Sequence, residues 1–204
     1  MLEAHDLAAR RGPLLLFEGL SIRVPAGQAL VVQGRNGSGK TTLLRILAGL
    51  SQPAAGRVTW RGREVGRHDP VMRADVCFAG HVPALKDELT ASENLHALVA
   101  LAGGGADRPT LRRALADVGL DARRNLPARA LSQGQRRRIA LARLGIGRQR
   151  LWLLDEPATA LDADGMALLA ALVARHLARD GTLVAATHQP LTLPADRVRT
   201  LELG

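Results

Sequence analysis

The sequence predicts an α/β fold built on a mostly parallel sheet, with a helical segment inserted in it. Short, continuous apolar runs at 29–32, 76–79, 151–154 and 182–186 are typical of strands buried on both faces of a parallel sheet. Segments with helical spacing of apolar residues lie among these runs, and alternating strands and helices favour an α/β architecture. Between 83 and 130 the pattern changes to helices alone, which indicates the insert.

The first third of the chain is predicted to hold strands and one helix. An apolar-rich start and a strand at 21–24 precede the first buried run. Helical spacing then extends over 42–50, and Gly49 and Pro53 are signals for the end of that helix. Residues 57–62 are typical of a β-hairpin. We therefore expect strands on both sides of the first helix.

The remaining helices are marked by their starts. Residues 90–93 and 132–135 both have the capping-box spacing, in which a Ser or Thr is followed three residues later by Glu or Gln. A glycine run at 103–105 separates the first of these helices from another expected over 109–119. A long apolar helix is predicted over 166–177, before the last buried strand.

The composition is that of an ordinary globular protein, with 47% apolar residues. No apolar run reaches the roughly 18 residues that a membrane-spanning helix needs. The single cysteine, Cys77, excludes a disulfide framework and fits a reducing compartment.

The net charge of +9 comes almost entirely from arginine, because all but two of the 28 basic residues are arginines. They are scattered, with small clusters at 10–11 and 136–138, and we interpret them as a compositional bias. Aromatic residues make up 2%, too few for the stacking platforms that bind single-stranded nucleic acid. No direct nucleic-acid partner is expected.

A glycine-rich segment after the first buried strand satisfies the pattern G-x-x-x-x-G-K-[ST]. Glycines allow several amide N–H groups to point inward, and the following helix adds the positive end of its dipole. Lys40 is predicted to reach the outer phosphates of ATP, and the Thr41 hydroxyl to ligate Mg²⁺. The predicted ATP-binding residues are Gly34, Arg35, Asn36, Gly37, Ser38, Gly39, Lys40, Thr41 and Thr42. This loop alone fits a kinase, a GTPase or a motor equally well.

Two carboxylates, Asp155 and Glu156, end the apolar strand at 151–154. In triphosphatases with this loop, the first carboxylate holds Mg²⁺, and the second can polarise the attacking water. Without the loop upstream, the same pattern is an ordinary strand end with an Asp turn.

The segment Leu131-Ser132-Gln133-Gly134-Gln135 opens a helix. Ser132 can cap that helix, and Gly134 can let a phosphate approach the backbone near the helix N-terminus. In isolation the segment is a plain capping box.

The order of the loop, Leu-Ser-x-Gly-Gln, the Asp-Glu strand, Ala160-Leu161-Asp162 and His188 resembles that in ABC-transporter ATPases, over essentially the whole chain. The resemblance implies one domain over 1–204 with a P-loop NTPase (RecA-like) fold and an antiparallel β subdomain. Residues 1–82 and 136–204 would form the nucleotide-binding core, and 83–135 a helical subdomain that carries Leu-Ser-x-Gly-Gln.

The resemblance also implies that two such subunits sandwich two ATP molecules head to tail. Ser132, Gly134 and Gln135 of one subunit would then touch the γ-phosphate held by Lys40 of the other. Because the chain carries one set of motifs, a homodimer or a pair with a second ATP-binding subunit is expected. An isolated monomer should hydrolyse ATP poorly.

Further roles follow from the resemblance. Glu156 would be the catalytic carboxylate, His188 a switch residue near the γ-phosphate, and Asp162 an interface residue that couples the two sites. Two positions depart from the family pattern. His81 stands where most members have a Mg²⁺-binding Gln, and it either contacts Mg²⁺ through a bound water or is a surface-loop histidine. Arg11 stands near the usual adenine-stacking aromatic residue, where a guanidinium can stack on a base.

Within the family, the segments 80–81, 89–95, 131–138 and 187–191 resemble the ATP-binding subunits of heme exporters of cytochrome c maturation. This implies peripheral association with the cytoplasmic face of the inner membrane, transmembrane partner subunits, and ATP hydrolysis that drives release of a heme-loaded carrier. No direct heme binding is expected, because the sequence has no Cys-x-x-Cys-His motif. The alternatives are another ABC transporter with a different substrate, and a soluble ABC ATPase that acts on nucleic acid.

Overall fold

Two β-sheets of different kinds organise the chain, which a computed structural model describes over residues 1–204. The strands are β1 (Leu2–Arg11), β2 (Leu14–Val24), β3 (Ala29–Gln33), β4 (Ala55–Trp60), β5 (Arg63–Glu64), β6 (Val76–Ala79), β7 (Leu151–Asp155), β8 (Thr182–Ala186) and β9 (Val198–Glu202). The helices are α1 (Lys40–Leu47), α2 (Pro70–Asp75), α3 (Ala91–Leu101), α4 (Arg108–Asp117), α5 (Gln133–Ile146) and α6 (Ala163–Leu177). None of these helices combines the length and apolar character needed to cross a bilayer.

The larger sheet has the strand order β6-β7-β8-β3-β9, and every neighbouring pair in it is parallel. The smaller sheet has the order β2-β1-β4-β5 and is antiparallel throughout. The predicted α/β fold class, with an antiparallel β subdomain and a helical subdomain, is confirmed. The buried runs predicted as parallel strands coincide with β3, β6, β7 and β8, whose residues are largely inaccessible.

Several elements differ from the sequence expectation, among them α6, which begins at Ala163 and not at 166. Helix α1 begins at Lys40, two residues early, because it grows directly out of the glycine loop. Strand β9 was not predicted, since it is an edge strand with mostly exposed or half-exposed residues and so lacks a continuous apolar run. Helix α2 was also missed. Its six residues are too few to show helical periodicity, although Asp69 caps it and a proline occupies its first turn.

Three apolar clusters fill the space between these layers. The first lies between the two sheets and includes α1, and the second joins the parallel sheet to α6. The third is formed by α3, α4 and α5 and constitutes the core of the helical segment. The proposed domain division between 135 and 136 falls in the first turn of α5, which packs on α3 and α4 and also contacts α6. Helix α5 therefore connects the helical segment to the sheet core without a break.

Trp152 on β7 stacks on His176 of α6 beneath the parallel sheet. Their ring centroids lie 3.8 Å apart with an interplanar angle of 8°. His176 Nε2 lies 3.2 Å from the carbonyl oxygen of Thr182, and a Cβ atom at Gly181 would overlap the imidazole ring. Burial lowers the pKa of His176 from 6.5 to about 4, and the hydrogen bond to Thr182 only partly opposes this shift. The ring is therefore neutral in the folded protein at physiological pH.

This burial predicts a pH dependence of folding. Because the folded-state pKa of His176 lies below its ordinary value, the unfolded chain takes up the proton first as the pH falls. Stability present above pH 6.5 should be lost between pH 6.5 and 4, by on the order of 2 kcal/mol. The His176→Phe variant keeps an aromatic ring on Trp152 but does not titrate, so its free energy of unfolding should fall less over this range. Urea unfolding from pH 7 to 4 measures the difference, and equal pH slopes for the two proteins would contradict the assignment.

Candidate functional site

The predicted site residues lie at the carboxyl ends of four neighbouring strands of the parallel sheet, along one edge of that sheet. Strand β3 leads into the glycine loop, β6 into His81, β7 ends on Asp155, and β8 is followed by His188. In open α/β sheets, ligands bind outside the carboxyl ends of the strands. The strand order therefore gathers segments that lie far apart in the sequence.

The glycine loop is held in shape by close backbone contacts. Gly34 has φ of 141°, and a Cβ atom there would overlap the carbonyl oxygen of Leu203. Gly39 has φ of 101° and caps α1. The buried Lys40 ammonium donates to the carbonyl oxygens of Gly34 at 2.6 Å and Arg35 at 3.0 Å. Two of its three N–H groups thus brace the loop, and one is left for an anion.

Thr41 and Asp155 connect the loop to β7. The Thr41 hydroxyl donates to Asp155 Oδ2 at 2.8 Å, and Asp155 is only 4% exposed. A hydroxyl oxygen and a carboxylate oxygen are the hard ligands that Mg²⁺ prefers. The chain offers no group of three or more His, Cys, Asp or Glu side chains that could hold a metal ion unaided. The donor set therefore fits a Mg²⁺ that takes its other ligands from phosphate and water.

Glu156 lies at the centre of the site in an unusual backbone conformation. Its φ is 49°, in the left-handed region that non-glycine residues rarely adopt. Its Oε1 lies 3.0 Å from Nδ1 of His188, while its buried Oε2 has no hydrogen-bond partner in the chain. Because an ionised carboxylate only accepts hydrogen bonds, the imidazole donates from Nδ1, and Nε2 is left for another partner. Oε2 is also shielded from solvent, so a water can satisfy it only after the side chain or its neighbours move.

His188 is positioned by the turn that follows β8. The buried Thr187 donates from its backbone N–H to Val32 on β3, and its Oγ1 accepts from the Gln189 amide at 3.0 Å. These contacts fix the backbone on both sides of His188. The His188 side chain itself is 62% exposed, compared with 12% for Glu156.

These segments surround one cleft of about 370 Å³. The predicted residues Arg11, His81, Asp155, Glu156 and His188 all line it beside the glycine loop. The one hydrophobic residue in its wall, Leu16 on β2, was missed by the sequence analysis, although it lies in the same β1–β2 hairpin as Arg11. The complete lining is Arg11, Leu16, Asn36, Gly37, Gly39, Lys40, Thr41, Thr42, His81, Asp155, Glu156 and His188.

Ser132, Gly134 and Gln135 do not line this cleft. Ser132 and Gln135 form a reciprocal capping box at the start of α5, with bonds of 3.2 and 3.1 Å. A Cβ atom at Gly134 would lie 2.7 Å from the carbonyl oxygen of Ala160, so the approach of the segment before α6 requires glycine here. The structure thus brings the glycine loop, the two carboxylates and His188 together in one cleft, and it leaves these three residues outside that cleft.

Asp162 also lies outside the cleft, and hydrogen bonds fix the position of its side chain. It caps α6 by accepting from the Gly165 amide at 2.9 Å, and it accepts from Arg138 at 2.6 Å. The hydrogen bond from Arg138, and then that from Gly165, lower the pKa of Asp162. Its side chain remains 67% exposed, so a charged carboxylate is presented at the surface in a fixed orientation.

Arg137 is a second residue that the sequence analysis missed. It is 5% exposed and donates hydrogen bonds only to backbone carbonyl oxygens around the cleft. In the sequence it belongs to a run of three arginines, which is more often a solvated surface. Nothing in that run distinguishes the buried member from its neighbours.

The fold and the cleft define a P-loop nucleoside triphosphatase with a Lys–Thr loop, a Mg²⁺-type carboxylate and a second carboxylate paired with histidine. Comparison with known proteins identifies the family to which the chain belongs. The family model described as ABC transporter matches residues 17–159. The cytochrome c biogenesis ATP-binding export protein CcmA of Dechloromonas aromatica is 46% identical over 204 residues, with 100% of both chains covered. The protein of the same name from Pseudomonas aeruginosa is 47% identical, again over 100% of both chains.

Solved structures have the same fold. A putative ABC transporter ATP-binding protein from Pyrococcus furiosus superposes with a TM-score of 0.83 at 23% identity, covering 98% of this chain and 96% of that one. A dimeric ATP-binding cassette in a post-hydrolysis state superposes with a TM-score of 0.79 at 25% identity, covering 93% of this chain and 88% of that one. The chain belongs to the ABC transporter family and, within it, to the cytochrome c biogenesis ATP-binding export proteins. Both resemblances found in the sequence are confirmed, and the chain is an ATP-hydrolysing transporter subunit.

The two lysines of the chain offer a matched test of the loop. Removal of the Lys40 ammonium in Lys40→Ala should weaken ATP binding at least about 50-fold, because a charge-assisted bond to phosphate in a buried site is lost. Lys86, which is exposed, serves as the control, and Lys86→Ala should bind ATP like the wild type. Equilibrium titration with a fluorescent ATP analogue measures both dissociation constants. Unchanged affinity in Lys40→Ala would contradict phosphate binding by this loop.

Proposed function

We propose that this chain is the ATP-hydrolysing subunit of the exporter that serves cytochrome c biogenesis, where ATP hydrolysis drives release of a heme-loaded carrier. The full-length identity of 46–47% to proteins named cytochrome c biogenesis ATP-binding export protein carries this proposal. The cleft supports the ATPase part, because it gathers a phosphate loop, two carboxylates and a histidine. The runner-up function is energising a different transporter of the same family, which would use the same cleft.

Hydrolysis is proposed to depend on Glu156. Its carboxylate, on a residue that lines the cleft, accepts a hydrogen bond from the attacking water and polarises it toward the γ-phosphate. His188, held on Oε1, contacts the γ-phosphate through Nε2. Lys40 and the loop amides hold the outer phosphates, and charge that develops on them is stabilised by these fixed groups. Thr41 and Asp155 would hold Mg²⁺, with His81 contacting it through a bound water, and the ion would neutralise phosphate charge when bound.

A second copy of the chain is proposed to complete the site. Ser132, Gly134 and Gln135 lie outside the cleft of their own chain, at the N-terminus of α5, where amides and the helix dipole favour a phosphate. In a head-to-tail homodimer they face the ATP held by Lys40 of the other copy, and the fixed Asp162 carboxylate lies at the interface. The solved dimeric cassette bound to ADP and Pi is a precedent for such an arrangement.

The adenine is proposed to lie at the Arg11 end of the cleft. Arg11 and Leu16 lie on the two paired strands of the β1–β2 hairpin, and both line the cleft. A guanidinium can stack on a purine, and an aliphatic side chain can cover its other face. Stacking and apolar cover act on the faces of the base and do not distinguish one purine from another, so weak discrimination between ATP and GTP is expected.

The remaining partners are inferred from the relatives. These relatives are named as export proteins, so we infer transmembrane partner subunits and a peripheral position on the cytoplasmic face of the inner membrane. Heme would be handled by those partners and not bound directly by this chain.

The catalytic assignment predicts the behaviour of Glu156→Gln. The amide keeps the size of the side chain but cannot act as a base, so turnover should fall at least about 100-fold. ATP affinity should stay within about threefold of the wild type, since the phosphate contacts remain, and an ATP-bound dimer should accumulate. Glu88→Gln, at an exposed glutamate, is the control. Phosphate release and light scattering with ATP measure the two effects, and wild-type turnover in Glu156→Gln would refute the role of Glu156.

The proposed role in cytochrome c biogenesis predicts which proteins co-purify with the chain and which cytochromes are lost when it is inactive. Pull-down of the tagged chain from detergent-solubilised membranes should recover proteins with membrane-spanning helices, and an untagged strain is the control. Replacement of the chromosomal copy by Glu156→Gln should abolish covalent attachment of heme to c-type cytochromes and leave b-type cytochromes intact. Normal c-type cytochromes would favour a different transported substrate. A soluble chain that shifts RNA or DNA in a gel at moderate salt would instead favour the nucleic-acid alternative.

A further inference from the structure

All three guanidinium nitrogens of Arg137, on α5, donate hydrogen bonds to backbone carbonyl oxygens beside the cleft. Nε donates to Pro157 at 3.3 Å, and Nη1 donates to Gly80 at 3.1 Å and His81 at 3.0 Å. Nη2 donates to Asp155 at 3.0 Å and also to Glu156. A guanidinium has five N–H donors, and this one makes five bonds to five different residues.

This guanidinium is buried without an ion pair. Arg137 is 5% exposed, and none of the salt bridges of the chain involves it. Burial lowers its pKa, and the charges of Asp155 and Glu156 act in the opposite direction. A buried charge held only by carbonyl dipoles is costly for a site that needs nothing but packing, because an apolar side chain of the same size avoids the desolvation. The buried charge therefore indicates that the site requires the backbone geometry that this guanidinium holds in place.

The carbonyls that Arg137 binds belong to two segments with predicted site residues. One segment follows β6 and carries His81, and the other follows β7 and carries Asp155 and Glu156. Glu156 is held at φ of 49°, and such strained backbone persists only where its surroundings over-determine it. Arg137 fixes three successive carbonyls, at 155, 156 and 157, which include the residue with the strained φ.

The flanking arginines make different contacts. Arg136 pairs with Asp87 at 2.7 Å and donates to the carbonyl oxygen of Ala128, both in the helical segment. Arg138 pairs with Asp162 and donates to the carbonyl oxygen of Val118. Of these three arginines, only Arg137 contacts the segments beside the nucleotide cleft, whereas Arg143, later on α5, donates to Cys77 and Phe78 within β6. That helix also begins with Ser132, Gly134 and Gln135, the residues proposed to reach the second ATP.

We propose that Arg137 is a positioning residue for ATP hydrolysis, which holds Glu156 in its productive backbone conformation and ties that carboxylate and His81 to α5. It does not line the cleft and acts only through the carbonyls that it binds. The proposal rests on the catalytic role proposed for Glu156. Through Arg137, a shift of α5 on contact with a second copy changes the position of Glu156 directly.

The substitution Arg137→Gln tests this idea with a matched control. Glutamine carries two N–H donors on a shorter side chain, so most of the five carbonyls lose their partner. We expect kcat to fall at least about tenfold, since small displacements of a catalytic group have effects of this size, with KM and ATP affinity within about twofold of the wild type. Arg136→Gln, one residue earlier on the same helix, should leave kcat within about twofold.

A second measurement does not depend on turnover. Hydrogen exchange followed by mass spectrometry should show faster exchange in Arg137→Gln over segments 79–82 and 154–160, and unchanged exchange over the loop at 34–42. Ethylguanidinium added to Arg137→Ala should restore part of the lost turnover and should have no effect on Glu156→Gln. These results together would support a positioning role.

Other outcomes would overturn the proposal. Unchanged kcat in a folded Arg137→Gln, or a loss of ATP affinity as large as the loss of kcat, would show that Arg137 serves stability alone. Unchanged exchange over 154–160 would show that it does not hold that segment. Glu156→Gln measured in parallel separates the two hypotheses. If Glu156→Gln retains full turnover, the catalytic assignment fails, whereas exchange over 154–160 still decides whether Arg137 fixes the backbone there.

Discussion

Strands β6, β7, β8 and β3 pair in parallel, and the register of this pairing decides where the residues of the cleft lie. Register places Ala79 beside Leu154, Asp155 beside Ala186, and Val32 beside Ala186, so the four strands end at one level. At that level, each strand is followed by a segment that lines the cleft. The hydrogen bond from Thr41 to Asp155, between residues 114 apart in sequence, exists only because β3 and β7 are both paired to β8 in this register.

The cleft is shaped by backbone contacts as much as by its charged side chains. Lys40 braces the carbonyls of its own loop, Gly34 allows the close approach of Leu203, and Arg137 holds the carbonyls behind Glu156. Such groups are fixed before any ligand arrives, so their reorganisation costs little when charge develops on a phosphate. Preorganisation of this kind also explains why a non-glycine residue can occupy the left-handed region at Glu156.

Sequence patterns predicted the parts of the fold and site whose physical causes are local. Buried parallel strands are continuous apolar runs, capping boxes mark Thr90 and Ser132 as helix starts, and the phosphate loop needs its glycines and lysine in fixed order. Strand β9 and helix α2 were missed because one is a half-exposed edge strand and the other is under two turns long. Leu16 and Arg137 were missed because long-range packing, and not spacing, gives each its place.

The stacked pair below the sheet gives the chain a spectroscopic property. With no tyrosine and two tryptophans, near-ultraviolet emission comes from two indoles in different layers. Trp60 lies in the apolar cluster between the sheets and donates through Nε1 to Asp75 at 2.9 Å, whereas Trp152 lies in the cluster next to α6 against His176. An imidazolium in van der Waals contact with an indole quenches its emission, and a neutral imidazole does so much less. Emission from Trp152 therefore reports protonation beneath the parallel sheet, and emission from Trp60 reports the integrity of the antiparallel layer.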